Sequence, residues 1–95
     1  MALLNDVKDA LRVNGNTLDT EIQDLIDAAK ADLLLSGVHP SKIIDTDPLI
    51  KRAVVVYCKA HFGWDNPEAD RFAKSYDMLK QHLTLSTEYT EAVST

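Results

Sequence analysis

Apolar side chains recur every three or four residues along most of this chain, a spacing that predicts helices. The clearest example is a helix from Thr17 or Leu18 to Ser36. Asn16 or Thr17 is expected to cap its start, and Gly37 to adopt the left-handed conformation that closes its end. Its apolar face consists of Leu18, Ile22, Leu25, Ile26, Ala29 and Leu33.

Three further helices follow from the same spacing and from proline-containing start signals. The first is predicted from about Leu3 to Arg12. Asp47 and the following proline start another, Pro48 to about Phe62, because aspartate accepts hydrogen bonds from the first free amides. Asn66 and Pro67 repeat that signature before a fourth helix. The apolar stripe of the fourth helix is Phe72, Tyr76, Leu79 and Leu83.

The helix starting at Pro48 is apolar around most of its circumference, so we expect it to be central and buried on several sides. Its segment Val54 to Tyr57 has strand propensity. The proline start and Gly63 at the end nevertheless favour a helix, since burial commonly overrides the β-branched preference.

These elements predict an all-α protein, a small bundle of about four helices with a central third helix. Residues 1–83 form the helical domain, and the polar residues 84–95 are expected to be a flexible C-terminal tail. Val38 to Thr46 contains a His-Pro pair and is interpreted as a connecting loop. A single domain accounts for the whole length of 95 residues.

The net charge and the cysteine content limit the classes of protein to which this chain can belong. Ten Lys and Arg against fifteen Asp and Glu give a net charge of −5, the wrong sign for neutralising nucleic-acid phosphates. Cys58 is the single cysteine, which fits a reducing, intracellular setting. No stretch is long and apolar enough to predict a membrane span, and Met1 to Arg12 lacks the features of a secretory signal.

No pattern of reactive residues predicts catalysis. The histidines His39, His61 and His82 lack zinc-ligand spacing, and Cys58 lies in the most apolar part of the chain, where a thiolate is disfavoured. Acids near helix starts are explained by capping, and the isolated glycines form no phosphate loop. We therefore expect no enzyme activity, no cofactor and no metal.

Protein contacts are the remaining kind of function, and loops and loose ends are the natural places for them. Trp64 lies in a turn, as a partner contact or as a plug over the end of the bundle. The predicted contact residues are His39, Lys42, Asp45, Trp64, Leu85 and Tyr89, with the last two expected to be exposed on the tail.

The order of these elements resembles the head-to-tail connector, or head completion, proteins of long-tailed bacteriophages, also found in prophages and often called DNA-packaging or gp6-like proteins. The resemblance spans residues 3 to about 83. The residues that carry it are Leu4, Val7, Lys8, Leu11, Arg12 and Val13; Asp19, Ile22, Leu25, Ile26, Ala28, Ala29, Leu33 and Gly37; and Pro48, Leu49, Ile50, Ala53, Val54 and Tyr57.

This resemblance implies a virion subunit, assembled in the host cytoplasm, in a homo-oligomeric ring beneath the portal protein. Such a ring prolongs the DNA channel without binding specific DNA and offers a platform for a tail-proximal connector or stopper protein. Ring closure needs two different patches on each subunit. The candidates are the charged outer face of the second helix, the loop Val38 to Thr46 and the tail after Leu83. Deleting residues 84–95 is expected to leave the fold intact and weaken assembly.

Two other classes stay open at this point. A small DNA-binding or regulatory helical module is the first, because two helices joined by a short turn occur in DNA-reading motifs, although the negative charge disfavours it. An enzyme subunit whose site is completed by a partner chain is the second. Nothing in the sequence requires it.

Overall fold

The helix that starts at Pro48 lies at the centre of the structure. The computed structural model describes residues 2–63 and 66–91. It contains α1 (Ala2–Leu11), α2 (Asp19–Ser36), α3 (Pro48–His61), α4 (Ala69–Leu85) and α5 (Thr87–Thr90), with a 3-10 turn at Pro40–Lys42. No strand occurs in these residues, and α3 packs against α1, α2 and α4. The predicted all-α bundle with a central third helix is confirmed.

One continuous apolar core holds these helices together. The residues of α3 with strand propensity belong to it as helical residues, because three surrounding helices remove them from water and burial outweighs the local preference. The buried residues of the core are Leu3, Val7, Ile22, Ile26, Ala29, Leu33, Val38, Ile50, Ala53, Val54, Val55, Val56, Cys58, Tyr76, Leu83 and Tyr89.

Two predicted helix boundaries are confirmed in atomic detail. The Asp47 carboxylate accepts hydrogen bonds from the backbone amides of Leu49 at 2.9 Å and Ile50 at 3.1 Å, which caps α3. Gly37 has φ of 120°, and its amide donates to carbonyls at the end of α2. A side chain at position 37 would be strained by that φ, which explains why glycine ends this helix.

The predicted caps at the start of α2, Asn16 or Thr17, are wrong. Leu18 occupies the cap position of α2, and no side chain bonds to the free amides there. The side chain of Asn16 instead accepts a hydrogen bond of 3.5 Å from Lys8 on α1, and Lys8 also pairs with Asp19 at 2.7 Å. The polar groups at this end of α2 therefore join two helices.

The start of α4 also differs from the prediction. Glu68 occupies its cap position, without a side-chain cap, and the helix begins at Ala69. Asn66 accepts a hydrogen bond of 3.1 Å from the amide of Glu68 and donates one of 2.7 Å to the carbonyl of Lys59. Asn66 thus anchors the turn before α4 to the end of α3.

The chain stays helical beyond the boundary predicted after Leu83. α4 continues to Leu85, Ser86 is extended, and α5 follows at Thr87–Thr90 with Tyr89 buried against the core. The burial of the Tyr89 side chain explains why this short polar segment packs against the bundle. Residues 92–95 lie outside the described residues.

Substituting Leu33→Ala should lower the free energy of unfolding by about 2–5 kcal/mol, because Leu33 is fully buried and its loss leaves a cavity. Met78→Ala is the control. Met78 lies on α4 and is 62% exposed, so its truncation should change stability by less than about 0.5 kcal/mol. Urea denaturation measures both, and equal effects would contradict this assignment of the core face.

Candidate protein-interaction surface

The connector between α2 and α3 is a structured loop on the surface of the bundle. Val38 is buried and fixes its first residue in the core. His39 has an extended backbone, as expected before Pro40, and its Nδ1 accepts a hydrogen bond of 3.1 Å from the Ser41 amide. Nδ1 also lies 2.9 Å from the Ser41 hydroxyl oxygen. These bonds hold the imidazole of His39 against the 3-10 turn.

α5 closes over this connector. The His39 amide donates a hydrogen bond of 2.8 Å to the Tyr89 carbonyl oxygen. The Tyr89 hydroxyl lies 3.1 Å from each oxygen of the Asp47 carboxylate and donates to it. Because Asp47 also caps α3, one carboxylate joins the connector, α3 and α5.

The environment of Tyr89 keeps its hydroxyl protonated. Burial raises the pKa of Tyr89, and its hydrogen bond to the Asp47 carboxylate raises that pKa further, since both disfavour a phenolate at this position. The hydroxyl is therefore a stable donor at neutral pH.

Among the predicted contact residues that the structure describes, His39 is bonded to both Tyr89 and Lys42, since the Lys42 amide donates a hydrogen bond of 2.9 Å to the His39 carbonyl. Asp45 pairs with Lys30 on α2 at 2.6 Å, and Lys42 is half-buried at the end of the 3-10 turn. Leu85 is 86% exposed, as predicted.

The predicted exposure of Tyr89 is wrong. Its ring is 7% exposed, because the turn at Ser86 folds α5 back onto the connector. Trp64 lies outside the described residues.

A second polar cluster, which the sequence analysis missed, joins α2 to α4. The Tyr76 hydroxyl donates a hydrogen bond of 2.5 Å to Oδ2 of Asp32, and the Lys80 ammonium group lies 3.1 Å from the same oxygen. Tyr57 packs edge-on against the Tyr76 ring, with centroids 5.1 Å apart, and also contacts the His61 ring. The only signal in the sequence was an aspartate inside the apolar end of α2.

The protonation states of this cluster follow from its geometry. Burial acts to raise the pKa of Asp32, but hydrogen bonds from Tyr76 and Lys80 and the positive charge of Lys80 outweigh it, so that pKa is lowered. Burial, and then the bond to Asp32, raises the pKa of Tyr76. The proton stays on the phenol, and Asp32 remains charged as a link between helices.

The titratable side chains that converge within the described part of the chain are those of the Asp32 cluster. The Cys58 thiol is fully buried, which raises its pKa to about 12 and leaves it protonated. The cluster around Asp32 borders a shallow cavity of about 280 Å³, but its carboxylate is committed to two donors. Residues 2–63 and 66–91 contain no group of three metal-ligating side chains.

Comparison with known protein families shows which family the chain belongs to. The family model described as phage connector protein matches residues 3–90, nearly the whole chain. The chain belongs to the phage connector protein family. No curated protein and no solved structure matches it.

The phage connector family is a structural protein family. All the secondary structure of the described residues is helical. Among the described helices of this connector protein, none has both the length and the apolar character required to cross a membrane.

The free energy of unfolding of this connector protein should decrease at acid pH, because Asp32 becomes protonated there. Because the folded pKa of Asp32 lies below its usual value of 3.8, its contribution is complete above that value and is lost as pH falls through the lowered pKa. The stability difference between the wild type and Asp32→Asn should be present at about pH 7 and shrink by about pH 2.5. Urea denaturation at both pH values measures it, with exposed Asp9→Asn as the control. A difference that is equal at both would contradict the charged link.

Replacing Tyr89 by phenylalanine should lower the free energy of unfolding by about 1–2 kcal/mol, because it removes a hydrogen bond to a charged group and keeps the ring. Leu85→Ala should have little effect, since Leu85 is exposed. Thermal unfolding followed by circular dichroism compares the two. This substitution is sharper than deleting residues 84–95, because that deletion also removes a buried ring from the core. A fully neutral Tyr89→Phe would mean that α5 is not held by Asp47.

Proposed function

We propose that this connector protein is a subunit of a closed ring at the head-tail junction of a phage or prophage virion, assembled in the host cytoplasm. The match to the phage connector family over residues 3–90 is the observation that carries the proposal. A structural role is supported by the protonated, buried Cys58 thiol and by the lack of a group of three metal-ligating side chains in the described residues.

In this proposal the ring binds beneath the portal protein and prolongs the DNA channel. It also presents a platform for a tail-proximal connector or stopper protein. The net charge of −5 supports passage of DNA without binding, because negative charge facing the lumen repels the phosphate backbone.

The proposed platform for neighbouring proteins consists of α5 and the loop between α2 and α3. His39, Lys42 and Asp45 lie on this loop, and Leu85 extends from the end of α4 beside α5. Leu85 and the half-exposed Ile44 provide apolar area that a partner protein would remove from water. Tyr89 supports this platform from below and is not itself a contact.

The ring is tested by light scattering and electron microscopy of the purified chain over a range of concentrations, alone and with a portal protein. We expect particles whose mass is a multiple of the 10.6 kDa subunit and whose images show a central channel. Omitting the portal protein shows whether assembly requires it. Monomers under every condition would overturn the proposal.

DNA binding provides an independent test against the alternative of a DNA-reading module. A gel-shift assay at low salt should show no tight, sequence-dependent complex, because an acidic subunit gains little from counterion release. A sequence-specific complex under these conditions would favour the DNA-binding module instead.

A further inference from the structure

The side of α2 opposite the core carries an apolar stripe that no described residue covers. Ala28, Ala31 and Leu35 follow one another at helical spacing on this side, and all are exposed, Leu35 by 86%. Leu34, at the edge of the stripe, is 47% exposed. The two alanines allow another backbone to approach closely, and the leucines offer apolar area.

Acidic side chains continue this surface toward the start of α2. Glu21, Asp24 and Asp27 are exposed one after another on the outer side of the helix. Asp27 accepts a hydrogen bond of 3.0 Å from Gln23 on the same helix. We call the four apolar residues and these three acids the α2 stripe, which is apolar at one end and negative at the other.

A groove of about 380 Å³ lies elsewhere on the subunit, between α1 and the start of α3. Pro48 and Val55 give it an apolar floor, and Lys51 and Arg52 give it a positive rim. Lys51 pairs with Asp6 at 3.2 Å, whereas exposed Arg52 has no ion-pair partner within the described chain. We call this surface the α1–α3 groove. Its rim has an uncompensated positive charge in an acidic protein.

The two surfaces are complementary in charge, and both expose apolar side chains. The stripe projects apolar side chains beside negative charge, and the groove receives apolar side chains beside positive charge. No residue of α2 lines the groove, and the stripe points away from the core that α2 shares with α3. The two surfaces of one subunit therefore cannot cover each other.

We propose that the α2 stripe of one subunit binds in the α1–α3 groove of a second copy of this chain. This inference rests on the proposed ring and identifies its two subunit contacts. Because the patches differ, the contact is head-to-tail, and each subunit keeps one free patch for the next copy until the ring closes. Contact between two α2 stripes is less favourable, since it leaves both sets of acids without positive partners.

Substitutions on the two surfaces test the assignment through the assembly of the purified full chain, measured by analytical ultracentrifugation. Leu35→Gln removes the apolar side chain from the stripe but keeps the charge and the helix. Arg52→Glu reverses the charge at the groove. Each should weaken association about tenfold or more, because a buried leucine or a complementary charge is lost from every contact.

Matched controls on α4 separate this effect from a general one. Met78→Gln makes the same kind of change at a side chain that is 62% exposed, and Lys74→Glu reverses another exposed positive charge. Neither position belongs to the stripe or the groove, so both controls should assemble like the wild type. Circular dichroism of all four variants checks that each is folded.

Mixing the two interface variants distinguishes a head-to-tail contact from a symmetric one. The Leu35→Gln subunit keeps an intact groove, and the Arg52→Glu subunit keeps an intact stripe. At concentrations where neither variant associates alone, their mixture should form a heterodimer through that one intact pair and nothing larger, since every other pairing includes at least one damaged surface. Larger assemblies, or no heterodimer, would overturn the proposal.

The outcomes also separate this inference from the proposed function. Wild-type protein that remains monomeric under every condition, including with the portal protein, contradicts the ring itself. Wild-type protein that forms rings while both interface variants assemble equally well contradicts only the assignment of the stripe and the groove.

Discussion

The need to bury α3 on nearly every side determines the arrangement of the other elements. A helix that is apolar around most of its circumference is stable in water only if several neighbours cover it, and α1, α2 and α4 do so. Each of these helices can then be amphipathic, with one apolar face inward and one polar face outward. The loops between the helices lie at the ends of the bundle, where the loop between α2 and α3 meets α5.

Two carboxylates on the border of this core determine details that apolar packing leaves open. Asp47 holds the start of α3 and the hydroxyl of Tyr89, and Asp32 joins α2 to Tyr76 and Lys80 of α4. Charge-assisted hydrogen bonds depend on direction, whereas apolar contacts do not. The bonds of Asp32 therefore help to set the rotation of α2 against α4. The bonds of Asp47 hold α5 against the loop between α2 and α3, although α5 contributes a single buried side chain.

That rotation has a consequence for the outer surface. With Asp32 turned toward α4 and Leu33 in the core, Leu35 points away from both and is left uncovered. The chain belongs to the phage connector family, which is a structural family, and its described surface differs in character from one side to the other. In a protein of this kind, the position of apolar side chains outside the core is as informative as the core itself.

The sequence by itself determined the helices, the central position of α3 and the cap at Asp47, because periodicity and capping depend on residues close together in the chain. It also identified Leu85 as exposed and the segment between α2 and α3 as a surface loop. Only the tertiary structure decided that Tyr89 is buried on Asp47, that Asp32 pairs with α4, and that Asn16 turns to α1 instead of capping α2. Each of these bonds joins parts of the chain whose meeting depends on how the helices pack, and no local spacing records that packing.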